Sequence, residues 1–207
     1  MGLLPSTSPL TVEEHDACGV GFIADLGGAG THEVVRLALQ GVAAMMHRGA
    51  RSADGRTGDG AGILCETPRK FLARELERVD LQASSSHLAA ICLFLPREAD
   101  AAAAARAAIE ARVHSVDVTP LRWRTPGTHE DILGTQARTT RPTVEQLVVD
   151  MGPGNVRERM RSAARAIEKS LREFGPTASL LSCSATSVVY KALLSADELG
   201  MYFDDLR

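Results

Sequence analysis

Apolar order along this chain begins at Cys18. The first seventeen residues, MGLLPSTSPLTVEEHDA, are rich in Pro, Ser, Thr and acid and read as an extended leader. From Cys18 to Leu26 the run CGVGFIADL has the short, apolar, β-tolerant character of a buried strand, which Gly27, Gly28 and Gly30 then break. A helix is predicted from near Thr31, a residue suited to an N-cap, with Glu33 in its first turn. Val34, Val35, Ala38, Val42 and Met45 fall on one face of it, and it ends before His47-Arg48-Gly49. The glycine-rich loop SADGRTGDGAG leads into a strand at Ile63 to Cys65, and Pro68 opens a helix carrying Phe71, Leu72 and Leu76.

The second half continues the alternation. His87 to Leu95 is an apolar strand, Glu98 to Val113 an alanine-rich helix, and Ser115 to Trp123 alternates as a strand does. A weaker helical signal around Glu130 to Ala137 precedes a strand at Val144 to Met151. The clearest helix runs from Asn155, its cap, to Phe174. Val156, Met160, Ala163, Ile167, Leu171 and Phe174 form one apolar stripe, and Gly175-Pro176 supplies the stop. Ser179 to Leu194 reads as a strand or hairpin, and Ser195 to Leu206 as a last helix.

Length and charge narrow the picture. A chain of 207 residues suffices for one domain with a substantial core and leaves no room for a second complete enzymatic domain. Its 23 basic and 26 acidic residues give a net charge of -3 with no long run of one sign, so neither a nucleic-acid nor an anionic-membrane footprint is present. A small-molecule or protein partner is expected instead. The start lacks the basic flank and apolar core of a secretory signal, and no run approaches the roughly 20 apolar residues of a membrane-spanning helix. A cytoplasmic location with reduced thiols follows as the expectation. Cys18, Cys65, Cys92 and Cys183 form no CxxC pair, and neither they nor His32, His87, His114 and His129 fit a zinc-ligand spacing, so no metal site is expected. The arginines at 157, 159, 161 and 165 read as the solvated face of the long helix.

Cys18 is the residue whose context points to chemistry. An unpaired cysteine is ordinarily a small core hydrophobe, and that reading suits Cys65, Cys92 and Cys183, which lie inside apolar strands. Cys18 instead stands where the polar leader meets the first apolar strand. Cutting Ala17-Cys18 would leave one residue carrying both a thiol and an α-amino group. A free α-amine has a pKa of about 7.7 to 8, suited to a general base, whereas a peptide nitrogen has no useful basicity.

Three motifs carry a resemblance. His15-Asp16-Ala17-Cys18-Gly19-Val20-Gly21-Phe22, then His47-Arg48-Gly49-Ala50, then Thr57-Gly58-Asp59-Gly60-Ala61-Gly62-Ile63 resemble, in order and spacing, the opening of glutamate synthase large subunits. Val189-Tyr190-Lys191 is similar to a Val-Tyr-Lys-Gly-Met segment of that family, and Tyr202 to Leu206 to its Phe-Tyr-x-Asp-Leu. Ala192 departs from the family's glycine, and Ser184 to Ser187 lacks an arginine usual in that stretch.

The resemblance implies a glutaminase, or class II glutamine amidotransferase, domain of the N-terminal-nucleophile hydrolase fold, a four-layer αββα sandwich of α+β class. It implies residues 1–17 as a removed leader and 18–207 as part of the domain. Cys18 would be the nucleophile, attacking the carboxamide of glutamine, expelling ammonia and leaving a γ-glutamyl thioester for water. That ammonia would serve glutamate formation from 2-oxoglutarate. FMN and an iron–sulphur cluster are expected only in the remainder of a full-length family member, and that remainder or the small subunit as partner.

Arg48 and Gly49 match the family's turn beside the nucleophile, where they would position the new amine and the thioester. A helix C-cap, with basic charge at the helix end and glycine at positive φ, is the alternative, and both can hold. The Asp59 loop fits neither a P-loop nor a dinucleotide fingerprint and reads as a turn.

The family's glutamine-binding His-Ser-Arg-Phe-Ser-Thr segment, its oxyanion-hole Asn-Gly and its amine-binding aspartate do not occur among these 207 residues. The sequence therefore reads as an incomplete domain. The competing reading is a remnant or interaction protein that needs a companion chain. Loss of one oxyanion-hole donor alone costs roughly a hundred- to a thousandfold in rate. The expected outcome is that purified residues 18–207 release no more ammonia from glutamine than their Cys18→Ala variant; robust Cys18-dependent turnover would overturn this.

Overall fold

A computed structural model of the protein describes residues 19–28 and 30–207. In chain order its elements are α1 (His32–Ala44), β1 (Ala61–Glu66), α2 (Arg69–Glu77), β2 (Leu88–Leu95), α3 (Ala99–His114), β3 (Thr119–Arg124), α4 (Thr135–Thr140), β4 (Thr143–Asp150), α5 (Val156–Leu171), β5 (Ser179–Cys183), β6 (Ser187–Ala192) and α6 (Leu199–Tyr202). All strand pairings are antiparallel. One sheet has the order β3-β4-β2-β5, and β1 pairs with β6 in a second, from Ala61 opposite Ala192 to Glu66 opposite Ser187.

The apolar runs of β2 and β4 lie at the centre because both faces of their sheet are covered. Ala89, Ile91, Leu93, Leu147 and Val149 face one core, closed by Ile109 and Val113 of α3 and by Met160, Ala163 and Ile167 of α5. Leu88, Ala90, Cys92 and Val148 face the other, with Ile63, Val188 and Tyr190 of the second sheet and Leu72 and Leu76 of α2. Capping fixes where the outer helices begin: the Glu98 carboxylate accepts from the Asp100 and Ala101 amides, and Asn155 Oδ1 accepts from Glu158 N at 3.3 Å. Gly175, at φ 80°, ends the α5 region after a 3-10 turn over Arg172–Phe174.

Two ion pairs tie the layers together. Glu145, buried on β4, accepts from Nε and Nη2 of Arg106 on α3. Arg124, at the end of β3, donates to both carboxylate oxygens of Asp205 at 2.8 and 2.7 Å, and Tyr190 donates its hydroxyl to Asp205 at 2.8 Å. The Arg124 guanidinium also lies 5.0 Å above the Phe71 ring.

The predicted elements hold in the main, with four corrections. Residues 19–26 form no strand: Val20, Phe22 and Leu26 are 90, 91 and 101% exposed, and no ladder partner engages them among the described residues. Ser179 to Leu194 is no hairpin, because β5 joins β2 while β6 joins β1. The Ser184 hydroxyl, accepting from the Thr186 and Ser187 amides, turns the chain from one sheet to the other. The helix expected over Glu130 to Ala137 splits into a 3-10 turn over Glu130–Ile132 and α4, with Leu133 and Gly134 extended between them. The final helix breaks at Phe203, whose extended backbone bridges to Thr128 while Asp204 N donates to Gly127 O at 3.0 Å. Among the described residues no helix is long and apolar enough to cross a membrane.

The thiols of Cys65, Cys92 and Cys183 are unpaired, and burial disfavours their thiolates. It pushes Cys65 up to about 11 and Cys183 to about 12, and raises Cys92. Iodoacetamide at pH 8 is expected to leave these three unlabelled in the native protein and to label them after unfolding in urea, as read by peptide mass spectrometry. Rapid native labelling of any of them would contradict their burial. Asp205→Ala, which leaves the buried Arg124 with Glu75 at 4.0 Å as its counter-charge, is expected to lower unfolding stability by up to about 3 to 5 kcal/mol in urea titration; a loss below about 1 kcal/mol would show the pair to be solvated.

Candidate functional site

α1 ends at Ala44, and the chain tightens into a 3-10 turn over Met46–Arg48 in which Arg48 N donates to Met45 O at 2.9 Å and Gly49 N to Met46 O at 3.1 Å. His47 and Arg48 place basic side chains at this helix end, the charge favoured there. Gly49 does not take the positive φ that a C-cap glycine would use; it is extended, at φ -85° and ψ 154°. A side chain here would be crowded for another reason. A β-carbon on Gly49 would lie 3.0 Å from Asp59 Oδ1 and 3.5 Å from Met46 O.

Asp59 belongs to the glycine-rich loop, which is a turn, as expected, built on hydrogen bonds between its two arms. Ala50 N donates to Asp59 Oδ2 at 3.0 Å, and Asp59 N returns a bond to Ala50 O at 3.2 Å. Arg51 bridges to Gly58, and Ser52 N donates to Thr57 O at 2.8 Å. At the tip, Asp54 accepts from the Gln136, Thr57 and Arg56 amides and from the Thr57 hydroxyl. These bonds, the one from Gln136 first, hold the Asp54 carboxyl well below the usual carboxylate range. Its stabilising effect on the loop is therefore present above the ordinary Asp pKa and is lost as the pH falls through the lowered value. Thr57 is fully buried, and its hydroxyl accepts from Ala137 N, so the loop is rooted in the start of α4.

Two of the three predicted site residues are thus placed in one turn. Cys18 lies outside the described residues. Gly19, which follows it, sits against this turn: a β-carbon there would fall 2.8 Å from Met45 Sδ and 3.4 Å from Arg48 Cδ. From Gly19 to Asp25 the chain then runs along a cleft of about 1660 Å³ whose other walls come from α1, β1 and α2. Arg124, Tyr190 and Asp205 contribute to its lining.

Sequence reading missed the contribution of Asp59, seen only as part of a turn, and the Arg124-Tyr190-Asp205 cluster. A signal for the cluster was present, since Tyr190 and Asp205 fall within the two C-terminal segments that carry the looser resemblance. The partner on β3 is distant in sequence and announces itself by no spacing.

Comparison with known proteins places these features in a family. Residues 18–207 match the family described as class-II glutamine amidotransferases. The chain is 37% identical over 204 residues to ferredoxin-dependent glutamate synthase 2 of a Synechocystis species, covering 96% of this chain and 13% of that protein. It is 36% identical over 200 residues to the glutamate synthase (NADPH) large chain of Azospirillum brasilense, covering 94% of this chain and 13% of that protein. Against the corresponding chain of Bacillus subtilis the identity is 29% over 200 residues, with 94% and 13% covered. The chain therefore spans 13% of the length of these curated relatives. With a match that opens at Cys18 and relatives that are glutamate synthases, the chain belongs to the class-II glutamine amidotransferases, as an amidotransferase domain of the glutamate synthase type.

Proposed function

We infer that the chain supplies the glutaminase of a glutamate synthase, with Cys18 as an N-terminal nucleophile once residues 1–17 have been removed. The observation that supports this reading is the seating of Gly19, the residue after Cys18, against Met45 and Arg48. The α-amine of Cys18 takes the thiol proton, and the thiolate attacks the Cδ of glutamine. The C–N bond breaks as the ammonium hands its proton to the departing nitrogen, ammonia leaves, and water cleaves the γ-glutamyl thioester to glutamate and free thiol.

Arg48 and Gly49 act in this scheme by position. Their amides donate within the 3-10 turn, so the turn offers carbonyl oxygens and the Arg48 guanidinium to orient the amine and the thioester. A cation beside the thiol also favours the thiolate. The reading includes the four-layer αββα sandwich, glutamine as substrate, and a cytoplasmic setting. It assigns the use of the ammonia, with FMN and iron–sulphur chemistry, to the remainder of the synthase or its small subunit.

The test joins two measurements on a protein in which residues 18–207, made with residues 1–17 in front, are joined to the family's glutamine-binding and oxyanion-hole segments. Mass spectrometry is expected to find Cys18 as the first residue, and glutamine-dependent ammonia release is expected to fall by about a thousandfold or more in Cys18→Ala, the scale of losing a covalent nucleophile. Active protein that retains residues 1–17 would remove the N-terminal-nucleophile mechanism.

A further inference from the structure

We propose that Asp59 is a positioning residue of this site, its carboxylate holding the Arg48-Gly49-Ala50 turn where Gly19 meets it. The proposal rests on the N-terminal-cysteine reading above and adds to it the part that keeps Arg48 in place. Residues 46–50 are exposed, so no buried side chain of the turn itself anchors it to the core. Arg48 N, Gly49 N and His47 Nδ1 bond the turn only to the preceding carbonyls of its own chain end, at Met45, Met46 and Ala44, whereas Asp59 ties it to the neighbouring loop: Oδ2 accepts from Ala50 N at 3.0 Å, and Asp59 N donates to Ala50 O at 3.2 Å. An amide bond to an ionised carboxylate is stronger than one between neutral groups.

The clamp needs a rigid base, and the neighbouring residues provide one. Gly58 is buried so closely against the main chain that a β-carbon would lie 2.4 Å from Leu194 O, and Gly60 takes a φ of 112° that other residues rarely adopt. Between these two glycines the backbone of Asp59 is held relative to Leu194 and β1. Its carboxylate carries that fixed position across to Ala50. Gly49 completes the arrangement by leaving room for Oδ1, which a β-carbon would meet at 3.0 Å. The glycine of the His-Arg-Gly turn is thus explained by the carboxylate it admits and not by its own φ.

A loop staple with no part in the chemistry would alter stability alone. A positioning residue alters the reactivity of the group it serves, so the experiment reads the pH profile of Cys18 alkylation by iodoacetamide in leader-free natural protein, with thermal unfolding in parallel. Arg48→Ala is expected to shift the Cys18 profile to higher pH, as loss of a nearby cation does. Asp59→Ala should shift it the same way and slow alkylation at pH 7 by about 3- to 10-fold, the scale of one hydrogen bond. Asp59→Asn, which keeps an oxygen for Ala50 N, should restore most of the rate. Gly49→Ala, which obliges the Asp59 carboxylate to give way, should shift the profile in the same direction but by less, and the double variant should add little to Asp59→Ala, as expected for residues acting through one contact.

The outcomes separate the two readings. A normal profile in Asp59→Ala beside a shifted one in Arg48→Ala overturns the role of Asp59 and leaves the site intact. An unshifted profile in Arg48→Ala overturns both. If Asp59→Ala fails to fold, Gly49→Ala and Asp59→Asn decide: a shifted profile in the first with a near-native one in the second supports the clamp, and any other combination refutes it.

Discussion

The pairing of β2 with β4 is the constraint on which the rest of this structure depends. Two strands that are mainly apolar on both faces, with only Glu145 and Gln146 polar inside β4, cannot leave either face in water, so each face has to be covered by another layer. α3 and α5 cover one, and the β1-β6 pair with α2 covers the other. Once the second sheet is fixed in this way, β1 brings the glycine-rich loop with it, and the loop brings the turn at the end of α1. The location of the site thus follows from the need to bury β2 and β4.

Within the site, geometry comes from close main-chain approach more than from side-chain packing. Gly19 admits Met45 and Arg48, Gly49 admits a carboxylate, Gly58 admits the carbonyl of Leu194, and a β-carbon on Gly134 would lie 2.3 Å from the Thr57 hydroxyl. At Gly58 and Gly134 backbone atoms occupy the space a side chain would need, and at Gly19 and Gly49 neighbouring side chains crowd it. Polar groups then lock the approaches: Asp54 and Thr57 at the loop tip, Asp59 at its base. Such an arrangement orders an exposed surface turn without hydrophobic anchoring.

What could be read from the sequence was what depends on local pattern. The α5 helix shows its cap, its stripe and its stop between Asn155 and Pro176, and the structure follows all three. β2 is legible as an uninterrupted apolar run, and β4 as a strand whose apolar residues are broken only by Glu145 and Gln146. The His-Arg-Gly turn and the glycine-rich loop were legible through resemblance, but the contact between them was not, since Asp59 and Gly49 meet through folding and not through periodicity. The broken final helix failed for the same reason: the bonds that extend Phe203 come from Gly127 and Thr128, far away in sequence. Residues 19–26 carry a strand-like pattern without a strand, because alternation records what a segment can pair with, and pairing needs a neighbour.

The four-stranded sheet also acts as a partition. α3 and α5 touch the core on its far side, while the cleft, the loop and the Arg48-Gly49 turn lie on the other. The exposed arginines of α5 and alanines of α3 therefore sit where a fluorophore, an affinity handle or a set of solubilising charges can be attached without reaching the candidate site. The partition makes that helical layer the natural handle by which to hold the protein while that site is probed.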